Sequence, residues 1–177
     1  MTNYRRACTV GATYFFTVNL ADRTSALLTD CIDELRDAVR HVQLRHPFAI
    51  DAMVVLPEHL HAVWTLPQND ADHSLRWRLI KTRFSSAMPN GERRCDSRIA
   101  KCERGIWQRR YWEHLVRNDD DFGRHVDYVH FNPVKHGYVS HAIDWPHSSV
   151  HRFVADGRLP ADWGMSADGR AGFGESR

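Results

Sequence analysis

Two histidines stand one residue apart in "HLHAVWTLP" (59–67), and a tyrosine and an asparagine stand four apart in "DYVHFNPVKHGYV" (127–139). Side chains alternate across a strand, so His59 and His61 project to one face while Leu60 projects to the other. Two imidazoles on one face are a grip for a divalent cation. On a helix, residues four apart share a face at about 6 Å of rise. Asn132 then offers an amide oxygen, a hard ligand suited to Mg²⁺ or Mn²⁺. Tyr128 offers a phenol. With an ordinary pKa near 10 it is a weak nucleophile at neutral pH, and attack on a phosphodiester becomes feasible beside a cation.

Plainer roles exist for each of these residues. Histidines at a solvated strand end need no metal. A helical tyrosine is commonly packing, and Asn-Pro is a common helix stop. Tyr4, Tyr14, Tyr111 and Tyr138 are not distinguished as nucleophiles by their surroundings.

A second set of residues suits nucleic acid. "WQRRYW" interleaves Arg109 and Arg110 with aromatic rings, a combination that neutralises phosphates and stacks unpaired bases. Arg76, Arg78, Lys81 and Arg83 form a basic helix patch, for which a solvated face is the default role. Arg5, Arg6 and Lys135 are further phosphate candidates.

The elements that must position these groups are legible in the periodicity. "ATYFFTVNL" (12–20) reads as a strand. Apolar residues then recur at helical spacing from Thr24 to His46, and "HPF" ends that helix. Residues 49–57 and 60–67 read as two strands joined by a hairpin through "PE". Residues 70–88 read as a basic amphipathic helix, 89–98 as a loop and 105–116 as a fourth strand. Residues 117–131 open on an acidic capping run and form a helix that "NP" closes. The order β-α-β-β-α-β-α predicts an α+β fold, an antiparallel sheet with helices packed on it.

Composition bounds the rest. The chain has 177 residues, 42% hydrophobic and 26% charged, with a net charge of +2 and 12 histidines. That is one soluble domain, and the charge alone selects no partner. Four cysteines without a C-x-x-C pair fit free thiols in a reducing cytoplasm. The N-terminal residues lack a continuous apolar stretch, and runs such as "MVVL" are too short for a bilayer. The expectation is a cytoplasmic protein with one domain over residues 1–163, a disordered tail over 164–177 and no membrane partner.

"HLHAVWTLP", "IWQRRYWEHLVRNDDDF" and "DYVHFNPVKHG", in that order and spacing, resemble the REP-associated tyrosine transposases, relatives of the single-tyrosine HUH transposases of bacterial insertion sequences. "YRRACTVGATYFFTVNLADR" resembles that family's opening and "DWPHSSVHRFVADG" its closing segment, so the resemblance runs from about Tyr4 to Trp163. It implies the HUH-endonuclease, ferredoxin-like sandwich. It implies His59 and His61 as the metal pair, with Mg²⁺ or Mn²⁺ as cofactor, and Tyr128 as the catalytic tyrosine. Asn132 falls where more distant relatives carry glutamine as third ligand, with a reach shorter by one methylene. Glu58 falls where relatives often have Asp or Asn.

The implied chemistry is cleavage and rejoining of single-stranded DNA at imperfect hairpins of repetitive extragenic elements. It passes through a 5′-phosphotyrosine and a free 3′-hydroxyl, with no small-molecule cofactor. The N-terminal segment would help read the hairpin base. The general base stays open, with His130 and His136 as candidates, and so does the choice between monomer and homodimer. A domesticated hairpin-binding regulator that does not cut is the alternative. A metal hydrolase of small substrates would leave the tyrosine helix and the arginine-aromatic segment without a purpose.

Overall fold

The structure is a computed structural model that describes residues 8–92 and 94–165. Four strands, β1 (Thr13–Asn19), β2 (Ala49–Val55), β3 (His59–Thr65) and β4 (Trp112–Leu115), form one sheet in the order β2-β3-β1-β4. Every neighbouring pair is antiparallel. With a helical crossover after β1 and another after β3, this is the β-α-β-β-α-β plan of a ferredoxin-like sheet.

Alternation along the central strands splits the core in two. Leu60, Ala62 and Trp64 of β3 join Tyr14, Phe16 and Val18 of β1 on one face. There they meet α2 (Ile32–Arg45) through Leu35, Ala38, Val39 and Val42, and α3 (His73–Ala87) through Trp77, Ile80 and Phe84. The Trp64 and Trp77 rings stack at 4.1 Å. Val63 and Phe15 point to the opposite face, where Val126 and Val129 of α5 (Asp119–Lys135) cover them. His59 and His61 share the parity of Val63, so they lie on the α5 side.

Four expectations about these elements differ from the structure. The helix expected from Thr24 to His46 breaks at Cys31 into α1 (Leu27–Asp30) and α2. The break lets the Leu28 amide donate to the Pro57 carbonyl at 3.1 Å, which ties α1 to the β2–β3 hairpin. The fourth strand is four residues long instead of twelve. Upstream of it, the Arg104, Trp107 and Gln108 carbonyls accept from Arg98 and Lys81 side chains. The loop expected over 89–98 also holds one short helix, α4 (Asp96–Ile99).

The fourth difference bears on the site. Asn-Pro does not close α5; Pro133 sits inside it and the helix runs on to Lys135. The stop is Gly137, at φ +73. Its amide donates to Val134 O at 2.9 Å, and that of Tyr138 to Pro133 O at 3.0 Å. These are the paired bonds of a Schellman cap, which needs a left-handed residue that glycine supplies. The extra turn carries Lys135 and His136 past the point where the sequence pattern ended the helix. A final short helix, α6 (Val150–Ala155), closes the described chain. Among the described residues no helix is long and apolar enough to cross a membrane.

Arg76 does not belong to a surface patch. It is 1% exposed. Its guanidinium donates to the carbonyls of His46 (3.2 Å), Pro47 (2.7 Å) and Asp72 (2.9 Å) and to the Asp70 carboxylate (2.7 Å). Only a planar fork of five N–H groups serves four acceptors in this way. Removing it strands buried carbonyls, so Arg76→Leu is expected to lower unfolding free energy by about 3–5 kcal/mol. Denaturant unfolding of both proteins measures this; a loss under about 1 kcal/mol would return Arg76 to the surface class.

Candidate active site

β3 delivers both histidines beneath α5, and they are buried, not at a solvated strand end as the pattern suggested. Their rings lie 4.9 Å apart. The His59 Nδ1 is 2.8 Å from Glu58 Oε1. A carboxylate only accepts, so Nδ1 carries the proton and Nε2 keeps its lone pair. The His61 Nδ1 is 2.9 Å from the Thr17 hydroxyl, its cross-strand partner in β1. Burial lowers the pKa of both histidines, and for His61 the neighbouring His59, His136 and Lys135 add to it. Both imidazoles are therefore neutral at pH 7, the form that binds a cation.

Glu58 is held in turn. Arg23 bridges it at 3.3 Å and also donates to Asn19. Burial and the Glu58 carboxylate raise the pKa of Tyr138, whose hydroxyl bonds that carboxylate. Glu58 thus orients His59 instead of reaching beyond it. This support joins β3, the segment after β1 and the turn after α5.

Tyr128 meets His61 edge to face at 5.1 Å and Phe15 at 5.7 Å. One helix end further on, His136 meets His59 at 5.3 Å. Asn132 stands one helical turn from each of Tyr128 and His136, on the same flank of α5. It is fully buried, and neither its amide nitrogen nor its oxygen has a hydrogen-bond partner among the described residues. A buried amide without a partner costs free energy unless something else binds it. Lys135 lies over the Tyr128 ring at 4.7 Å, with its ammonium 3.4 Å from Tyr128 Oη.

His130 faces away. It lies about 200° around α5 from Tyr128. Its Nε2 is 2.8 Å from Ser149 Oγ, and its ring packs on Phe153. Burial, with Arg152 and Arg158 nearby, lowers its pKa to about 4.

A second group of ligand-type side chains, His114, Asp121 and His125, gathers within 4.8 Å at the start of α5. Its bonds are internal. Asp121 accepts from His114 at 2.8 Å and from the Arg117 amide at 3.0 Å, while His125 Nδ1 lies 2.8 Å from the Asp121 carbonyl. Burial works to raise the Asp121 carboxyl, but these hydrogen bonds and the two imidazoles outweigh it and hold it at about 2. The group staples β4 to α5, and its carboxylate is already engaged.

The chain is 49% identical over 163 residues to the REP-associated tyrosine transposase of Escherichia coli K12, covering 92% of this chain and 91% of that protein. The chain belongs to the REP-associated tyrosine transposases. A Haemophilus influenzae Rd protein named for the same family is 46% identical over 169 residues, 95% of this chain and 96% of that one. The solved structure of a REP-associated tyrosine transposase bound to a REP hairpin superposes with a TM-score of 0.81 at 46% identity, covering 99% of this chain and 98% of that one. No family model matches the chain.

As a member of this family the chain is a transposase, and the α+β fold expected from its pattern stands. The expected DNA-contact residues fare unevenly. Arg78 and Arg83 are exposed on α3. That helix covers the sheet face opposite Tyr128. Lys81 donates to Gln108 O at 3.0 Å and lies over the Trp107 and Tyr111 rings, so it pins the 107–111 segment. Arg109 is paired with Glu103 at 2.7 Å and bonds Ser97. Arg110 is exposed and has no ion-pair partner among the described residues. Lys135 sits at the Tyr128 hydroxyl. Arg5 and Arg6, and the tail from residue 166 that was expected to be disordered, lie outside the described residues.

His136, Arg23 and Tyr138 are the site neighbours that pattern reasoning left unassigned or open. The signal for two of them was present in "KHGY": a basic last turn followed by glycine is a helix-stop pattern that extends α5 by a turn.

Proposed function

We propose that this transposase cuts and rejoins single-stranded DNA at hairpin-forming repetitive elements, with Tyr128 as nucleophile and His59, His61 and Asn132 as holders of one Mg²⁺ or Mn²⁺. One observation carries the reading. On α5 a buried amide with no hydrogen-bond partner among the described residues stands one turn from a tyrosine whose ring meets one of two adjacent buried imidazoles on β3. Two imidazole nitrogens and one amide oxygen are a donor set that suits a hard divalent cation. When bound, the cation supplies polarisation of the scissile phosphate and neutralises charge that develops on it.

The chain's own groups do the remaining work. Tyr128 Oη attacks phosphorus and loses its proton. The bond from phosphorus to the 3′ oxygen breaks, and that oxygen takes up a proton as the free 3′-hydroxyl. The 5′ phosphate stays on Tyr128. Lys135 places a positive charge beside Oη, the atom that must shed its proton. Glu58 keeps His59 in one tautomer. Rejoining is the same displacement in reverse by an incoming 3′-hydroxyl, so the covalent link conserves the bond and no ATP is consumed. The relative solved with a REP hairpin supports such DNA as this chain's substrate.

Incubating the protein with 5′- and 3′-labelled hairpin DNA, with Mn²⁺ or with EDTA, tests this on a denaturing gel. A slow-migrating covalent species carrying only the 3′-labelled piece, present with Mn²⁺ and absent with EDTA, is the expected result. Tight hairpin binding with no such species in any divalent metal would favour the non-cutting regulator.

A further inference from the structure

We propose that Trp112 is a stacking platform for an unpaired base of the DNA strand, next to the phosphate that Tyr128 attacks; the proposal rests on the reading above. Trp112 is 52% exposed, an unusual place for an indole on a small protein. It begins β4, an edge strand with one side free. Its register partner is Thr17, which pairs in turn with His61. The three residues therefore lie in one row across the sheet and share the face that carries the histidine pair.

One ring separates Trp112 from the nucleophile. The Phe15 centroid is 5.6 Å from Trp112, 5.7 Å from Tyr128 and 5.5 Å from His61. The indole is also braced. His114, two residues on along the same face, lies parallel to it, at 9° and 5.9 Å. His114 is held by Asp121 at 2.8 Å, and the Arg117 amide and the Asn118 cap fix Asp121. The His114–Asp121–His125 staple thereby gains a purpose beyond joining β4 to α5. It holds rigid the support on which an exposed aromatic ring rests.

Charge fits the same occupant. Arg110, two residues before Trp112, is exposed and without an ion-pair partner among the described residues, while Lys135 stands on the far side of the Phe15–Tyr128 contact. A braced aromatic face between two cations is the arrangement that takes a nucleobase on the ring and its phosphates on the charges. A nucleobase needs no sequence-specific contact here, because every base has a stacking face.

The test pairs Trp112→Ala, Trp112→Leu and Trp112→Phe with hairpin substrates that carry a single abasic site at successive positions around the cleaved phosphate. Single-turnover cleavage and hairpin affinity are measured, and thermal unfolding checks the fold. Trp112→Ala and Trp112→Leu are expected to cut the intact substrate about tenfold or more slowly, with Trp112→Phe close to wild type. One abasic position should slow wild type by the same factor and leave Trp112→Ala no slower than before. Equal cleavage by wild type and Trp112→Leu, or abasic and Trp112→Ala effects that multiply at every position, overturns the platform. Wild-type protein that forms no covalent DNA species overturns the Tyr128 reading instead, and with it this one.

Discussion

Tyr128→Phe is expected to abolish the covalent DNA species and to lower cleavage by more than about 10³-fold, because it removes the proposed nucleophile. The substitution is conservative everywhere else. A phenyl ring keeps the contacts with His61 at 5.1 Å and Phe15 at 5.7 Å, and it keeps the Lys135 ammonium at 4.7 Å. Hairpin affinity should therefore stay within about threefold of wild type, because no phosphate ligand or stacking ring is lost. The parallel control is Tyr138→Phe. Tyr138 is a neighbour through Glu58, not a nucleophile in this reading, and the adduct should persist in that variant. A covalent species formed by Tyr128→Phe and missing from Tyr138→Phe would move the chemistry to the other tyrosine.

Substitutions in the proposed cation shell should act with opposite signs on activity and on metal-free stability. His61→Ala removes a ligand and is expected to lower Mn²⁺-dependent cleavage by at least about 10²-fold and to abolish Mn²⁺ binding by calorimetry. Glu58→Gln leaves both imidazoles in place but weakens the acceptor that sets the His59 tautomer. Its cost should be smaller, about 10- to 100-fold in metal affinity. Asn132→Ala separates ligand from cap. The amide has no hydrogen-bond partner among the described residues, so its removal in EDTA should leave unfolding free energy unchanged or raise it by up to about 1 kcal/mol. In Mn²⁺ the same variant should lose cleavage and the stabilisation that the cation brings to the wild type. Clear destabilisation in EDTA, with cleavage retained, would make Asn132 a packing residue.

The residues that could do chemistry were readable because two periodicities expose them. Period two in β3 placed both imidazoles on one face, and the i,i+4 spacing placed Tyr128 and Asn132 on another. Charge was read less well. Arg76 was grouped with Arg78, Lys81 and Arg83 because four cations on one helix look alike in sequence. Yet only Arg76 lies against the carbonyls of His46 and Pro47, some thirty residues earlier in the chain. The fourth strand was overextended for a related reason. β-branched and aromatic content measures suitability for a strand, while Arg98 and Lys81 claimed the carbonyls that a ladder would have used.

By itself, the sequence determined which side chains share a face, since that follows from the geometry of the covalent backbone within one strand or one helix. It also determined, through motifs in a distinctive order, the family to which those faces belong. The tertiary structure alone decided that the two faces meet. α5 crosses β3 with Tyr128 over His61 and His136 over His59, and a glycine cap lengthens the helix enough to bring that second contact about. It also decided that the histidines are buried, that Glu58 points at His59 and that Trp112 alone of its aromatic segment stays exposed, one ring away from Tyr128. Those outcomes depend on packing between residues that stand far apart in the chain, and local pattern carries no information about which distant surface fills the space above a strand.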